Sequence, residues 1–219
     1  MIVAGKCKPE PDRFRELREK GFENVELYLK KHHVDNFEQT LARCREAEIN
    51  ISSVHTPHVL PEDEEYFVKS DELADKLDAT LVVHSQYLHH FHIEKVLENY
   101  NFQSDYAYEN NPGMSIPHLE KMIPNAGHQM VLDTAHLYMS SDQKFQEHLD
   151  HFLNNHRKQI SLIHVCDSTM KNDGLPFGEG KMNMEQTIKT IKEKFDGKIT
   201  LEVMPKRQED ALEKWNSNF

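Results

Sequence analysis

The sequence predicts an α/β protein of the (β/α)8 TIM barrel class, compact and built as one domain over residues 1–219. Three observations point there. Eight short apolar, β-branched runs recur along the chain, helical patterns separate most of them, and the repeat of about 25 to 30 residues fits eight units into 219 residues. Several runs are too continuously apolar to alternate between core and solvent, which suits parallel strands covered on both faces. A doubly wound open sheet is the structural alternative.

The expected strands are 2–4, 25–29, 51–55, 80–84, 106–110, 130–133, 160–165 and 199–203. Residues 13–20 follow Pro9 and Pro11 and read as the first helix. In residues 37–48, Leu41, Cys44 and Ala47 fall at helical spacing, and 62–77, 145–154 and 184–195 read the same way. Residues 90–100 predict a short helix and 116–123 barely two turns, so the fourth and fifth helices look trimmed. No linker or change of composition divides the chain.

Composition narrows the function classes. Lys and Arg number 26 against 37 Asp and Glu, a formal charge of −11, which disfavours a dedicated nucleic-acid binder. No apolar run approaches the roughly 20 residues that span a bilayer, and the N-terminus lacks a signal-peptide pattern. Cys7, Cys44 and Cys166 form no CxxC and fit a reducing cytoplasm. Self-association into a homo-oligomer stays open.

The 15 histidines are the unusual feature, and their placement is informative. In a barrel of this class the active site lies at the C-terminal ends of the strands. At or just after those ends stand Glu26, His55, His58, His84, Glu109, Asp133, His136, His164, Asp167 and Glu202. A carboxylate inside an apolar strand run, such as Glu202 between Leu201 and Val203, is costly to bury without a cation. Imidazoles and carboxylates together suit Mn²⁺, Zn²⁺ or Co²⁺, whereas Mg²⁺ prefers a shell richer in oxygen. His32 and His33, His89, His90 and His92, and His148, His151 and His156 are expected at the solvated surface. Lys6, Lys8, Lys181 and Lys206 are surface lysines by default, and no glycine-rich phosphate cradle is visible.

The segments Val83-His84, Tyr108-Glu109-Asn110, Leu132-Asp133-Thr134-Ala135-His136, 163–168 (IHVCDS) and Leu201-Glu202, with the loop 174–180 (GLPFGEG), occur in an order that resembles the xylose isomerase-like TIM barrels. That superfamily holds sugar and sugar-phosphate isomerases and epimerases, dehydratases of the dehydroshikimate type, and AP endonucleases of the endonuclease IV family. The epimerase branch implies one divalent metal ion held by Glu109, Asp133, His164 and Glu202. It also implies that His136 contacts the substrate. The function implied is a sugar or sugar-phosphate isomerase or epimerase, with Glu109 and Glu202 as the acid–base pair removing a proton beside a carbonyl that the metal polarises. Glu26, His55 and His84 would line the substrate pocket. The nuclease branch implies more ligands, His55 or His58 with His84, and an Asp-x-His pair whose two positions are occupied here by Asn172 and Gly174. Asp167 reads equally as a residue orienting an imidazole and as a loop aspartate. A barrel that keeps its ligands without catalysis is the non-enzymatic reading.

Overall fold

In a computed structural model, described over residues 1–58, 64–84 and 100–217, all eight expected strands form and follow one another as a closed barrel. They are β1 (Ile2–Cys7), β2 (Asn24–Tyr28), β3 (Asn50–His55), β4 (Thr80–Val83), β5 (Tyr106–Glu109), β6 (Met130–Asp133), β7 (Ile160–Val165) and β8 (Lys198–Leu201). Every described pairing between successive strands is parallel. Two compact units are distinguished, Ala4–Glu109 and Asn110–Phe219 with Met1–Val3.

The first unit carries β1 from Ala4 onward and β2 to β5, with helices α1 (Pro11–Glu19), α2 (Lys31–Asp35), α3 (Phe37–Glu46) and α4 (Glu64–Lys76). Pro11 and Asp12 start α1, where a missing N–H and a negative charge are both tolerated. Phe14 and Leu17 turn its buried face inward. A Cβ on Gly5 would lie 2.7 Å from Leu17 Cδ2, so the absence of a side chain there lets α1 approach β1. The strands are buried on both faces, with Val25, Leu27, Val54, Leu81, Val82, Val83 and Ala107 fully inside. Asp71 on α4 anchors the approach to β5, accepting hydrogen bonds from Tyr100 Oη, the Gln103 and Ser104 amides and Ser104 Oγ.

Helix α2 lies where a loop with solvated histidines was expected. Its start is capped by an imidazole, His33 Nδ1 accepting the Lys30 N–H at 3.0 Å. His33 is consequently buried, and burial lowers its pKa to about 4.

The second unit carries β6 to β8 with α5 (Ile116–Met122), α6 (Thr134–Ser141), α7 (Phe145–Asn155), α8 (Met184–Lys194) and α9 (Gln208–Ser217). Asn183 Oδ1 accepts the Gln186 N–H and caps α8, which buries Met184, Thr187, Ile188 and Ile191. The C-terminal helix α9 was not expected. Only Gln208, Ala211 and Trp215 face inward there, too few apolar positions to print a helical pattern. The expected helix over 90–100, the start of the one over 62–77, and His89, His90 and His92 lie outside the described residues. Among the described residues no helix is long and apolar enough to cross a membrane.

Candidate active site and metal ligands

In the second unit, three successive strand ends bring three candidate ligands together. The parallel register sets Asp133 opposite His164 and Val165 opposite Leu201, the residue before Glu202. The Glu202 N–H continues the ladder by donating to the Val165 carbonyl at 3.0 Å. His164 Nδ1 lies 2.8 Å from Glu202 Oε2 and 3.7 Å from Asp133 Oδ2. Asp133, His164 and Glu202 each offer an atom within 4.8 Å of the others.

Local structure fixes each group. Helix α6 starts directly after β6, and Asp133 Oδ1 caps it by accepting the His136 N–H at 2.7 Å. Oδ2 is therefore the oxygen that faces His164. The Asn110 side chain clamps the Asp133 residue from both sides. Its Oδ1 accepts the Asp133 N–H at 2.6 Å, and its Nδ2 donates to the Asp133 carbonyl at 3.0 Å. Thr134 Oγ1 donates to the His164 carbonyl at 3.0 Å. His136 points Nδ1 at the Asn110 carbonyl, 2.8 Å away, and Nε2 at Asp173 Oδ2, 3.2 Å away. That contact is the main reason the Asp173 carboxyl sits below the usual carboxylate range. Asn110 and Asp173 were given no role from the sequence. The quoted Glu109-Asn110 motif was the one available signal for the first.

Cys166, beside these ligands, is not one of them. Burial, then the nearby Asp133 and Glu202 carboxylates, push its thiol well above the ordinary range. Asp167 resolves to a loop aspartate. Its fully buried carboxylate accepts four backbone N–H groups, from Ser168 and Met182 on Oδ1 and from Gly178 and Gly180 on Oδ2. No imidazole is among these donors; the carboxylate holds the loop 168–182 instead. A Cβ on Gly180 would fall 2.1 Å from Asp167 Oδ1, so the motif's third Gly is a steric necessity.

In the first unit, the ends of β3 to β5 supply His55, His84 and Glu109, whereas Glu26, expected at a strand end, lies in the middle of β2. His55 Nδ1 donates to the Thr56 carbonyl at 2.8 Å, and its Nε2 lies 3.6 Å from Glu109 Oε2. His84 Nε2 lies 3.9 Å from the same oxygen, and its backbone N–H donates to Thr56 Oγ1. His55, His84 and Glu109 form a second ligand trio within 4.8 Å. Burial is the first cause lowering His84 to about 3, with the Glu109 carboxylate opposing it. The His58 ring packs against His84 at a tilt of 35°, with centroids 3.9 Å apart. Neutral imidazoles of this kind are the form that binds a metal.

Glu26 is fully buried. Its Oε1 lies 3.0 Å from Lys6 Nζ and its Oε2 accepts from Ser53 Oγ. Lys6 is therefore no surface lysine, whereas Lys8, Lys181 and Lys206 are exposed as expected. His151 and His156 also depart from expectation, being partly buried against Glu120.

The sequence pattern of the xylose isomerase-like TIM barrel family matches residues 14–217. No curated protein matches the chain. Three of the similar solved structures illustrate the likeness. A D-tagatose 3-epimerase-like protein aligns with a TM-score of 0.70 at 18% identity, covering 99% of this chain and 97% of that one. The 3-keto-D-glucoside 4-epimerase YcjR from E. coli gives 0.68 at 14%, covering 99% of both chains. An AP endonuclease of family 2 from Brucella melitensis gives 0.64 at 15%, covering 99% and 98%. At these identities the likeness is one of fold.

Proposed function

The chain belongs to the xylose isomerase-like TIM barrel family, and from that premise we propose that it is a divalent-metal-dependent sugar or sugar-phosphate isomerase or epimerase. The observation that carries the reading is the gathering of Asp133, His164 and Glu202 at three consecutive strand ends. One imidazole between two carboxylates is a donor set for Mn²⁺, Zn²⁺ or Co²⁺. In the proposal Glu109, at the end of β5, completes the set. A bound ion would supply Lewis acidity to stabilise negative charge developing on substrate oxygens.

The protein groups divide the remaining work. Asp133 and His164, with side chains 3% and 0% exposed, are fixed ligands. Glu202 is 28% exposed, which opens its carboxylate to a substrate. It serves as one base, and Glu109 as the acid–base group of the other face. The Asn110 carbonyl holds the His136 ring through Nδ1, and a substrate hydroxyl would take the place of Asp173 at Nε2. His55 and His84 contribute the pocket's imidazole wall, while Glu26 acts by holding the Lys6 ammonium.

The test is deuterium exchange from solvent into a panel of ketoses and ketose phosphates, with metal analysis on the same sample. Exchange that a chelator abolishes, that Mn²⁺ or Co²⁺ restores, and that Glu202→Gln suppresses supports the proposal. No exchange across the panel with metal present overturns it. The trio His55, His84 and Glu109 favours a second reading, an AP endonuclease-like nuclease with more than one ion. Metal-dependent nicking of plasmid carrying abasic sites, at low enzyme concentration, would replace the sugar reading by that one.

A further inference from the structure

We propose that Glu120, His151 and His156 form a separate site for a divalent transition-metal ion of the zinc type, joining α5 to the C-terminal end of α7. None of the three stands at a strand end. Glu120 lies in α5, His151 in α7, and His156 is the first residue beyond that helix. Both imidazoles aim Nε2 at one carboxylate oxygen, His151 at 2.7 Å and His156 at 2.9 Å from Glu120 Oε1. The three ligand atoms all lie within 4.8 Å of one another.

Two imidazoles and a carboxylate make a common protein ligand set for zinc, with a fourth position for water. Tetrahedral coordination at Zn–N and Zn–O lengths of about 2.0–2.2 Å puts neighbouring ligand atoms about 3.4 Å apart. The two imidazole–carboxylate gaps here, 2.7 and 2.9 Å, fall short of that value by about 0.7 and 0.5 Å, and the ion would have to open them. The rings are already propped in place. His151 and His156 meet edge-on with centroids 5.8 Å apart, and Phe152 packs against both at 5.7 and 5.6 Å. His156 is 13% and Glu120 22% exposed, so the ligands are only partly hydrated, while His151 at 39% leaves the water position open.

The outer contact is present too. Asn155 Nδ2 lies 2.9 Å from His151 Nδ1. When the ion takes Nε2, the imidazole proton resides on Nδ1, and the Asn155 amide turns its oxygen to accept it. Such a partner fixes the tautomer and the ring plane of a ligating histidine. The ion replaces two N–H···O bonds to Glu120 with two N–metal bonds and one O–metal bond. It thereby ties a seven-residue helix to its neighbour.

The experiment uses the full chain and Zn²⁺ alone as probe, titrated against a chelator of known affinity. Three proteins are compared: native, His151→Gln/His156→Gln, and Asp133→Asn/His164→Gln. The last should retain about one tightly bound zinc per chain, and the first pair of substitutions should remove about one equivalent. Asn155→Ala should weaken that equivalent about 10- to 100-fold. In native protein, NMR of the imidazole nitrogens should show the His151 and His156 Nε2 signals move on zinc addition, which does not depend on any variant folding. Unmoved signals, or equal zinc content in native protein and His151→Gln/His156→Gln, overturn the proposal. Failure of the strand-end site reads differently, as loss of the equivalent that His151→Gln/His156→Gln retains.

Discussion

Replacing Asp167 by Asn tests how the loop beside the candidate site is held. The carboxylate accepts the Ser168 and Met182 amides at 2.7 and 3.1 Å on one oxygen and the Gly178 and Gly180 amides at 2.9 Å each on the other. An amide side chain has one oxygen, so whichever way it turns, two of these four donors face an NH₂ group. A hydrogen bond to a charged group contributes about 1.5–3 kcal/mol. Losing two in a fully buried position should cost about 3–5 kcal/mol. For a chain of 219 residues that is about 6–20 °C in Tm. Urea unfolding gives the first number, a thermal scan the second, and limited proteolysis shows whether cleavage falls within 168–182. A loss below about 1 kcal/mol with no new cleavage would refute the reasoning. Gly180→Ala attacks the same bonds from the opposite side, since its Cβ would meet Asp167 Oδ1 at 2.1 Å and the Ser168 carbonyl at 2.5 Å. The double variant should therefore cost less than the sum of the two singles. Strict additivity would mean that the residues act independently.

Other outcomes follow from the same contacts. Asn110→Ala removes both bonds to the Asp133 residue and should lower metal affinity at the strand ends about 10- to 100-fold, measured by chelator competition. An unchanged affinity would show that Asp133 is held well enough without the clamp. His33, buried and lowered to about 4, is neutral in the fold but takes up a proton in the unfolded chain below about pH 6.5. Its contribution is complete above pH 6.5 and is lost as pH falls toward 4. His33→Gln, which can still accept the Lys30 amide, should flatten the fall of Tm across that window; parallel curves for the two proteins would contradict it. Cys7, Cys44 and Cys166 are buried, and burial pushes the first two up to about 12. A thiol reagent at pH 8 should find almost no reactive thiol in native protein and all three in denaturant. Rapid native labelling would mean that one of these sites opens.

The strands were legible because parallel strands buried on both faces print as apolar runs, and Asp133, His164 and Glu202 stood out as polar residues ending such runs. What the sequence hid was pairing across distance. His136 and Asp173 are 37 residues apart, and no local pattern marks them as partners. Lys6 reads as a solvated lysine until β1 and β2 align in register and set it beside Glu26. Helix α2 escaped because its cap is an imidazole, outside the usual Ser, Thr, Asp and Asn signals. His151 and His156 looked like surface because α7 is charged; their common partner sits on another helix, 31 and 36 residues away.

The Lys6–Glu26 pair carries an evolutionary consequence. An ion pair this deeply enclosed is seldom the most stable filling for its space, and apolar residues of matching volume commonly do as well or better. Stability alone would leave such a pair free to erode, provided both members changed together. A joint replacement, Lys6→Met with Glu26→Leu, therefore separates two histories. If the doubly substituted chain folds as firmly as before yet loses whatever turnover is found, the pair is kept by selection on chemistry. If both survive, the pair is an inheritance that the barrel can do without.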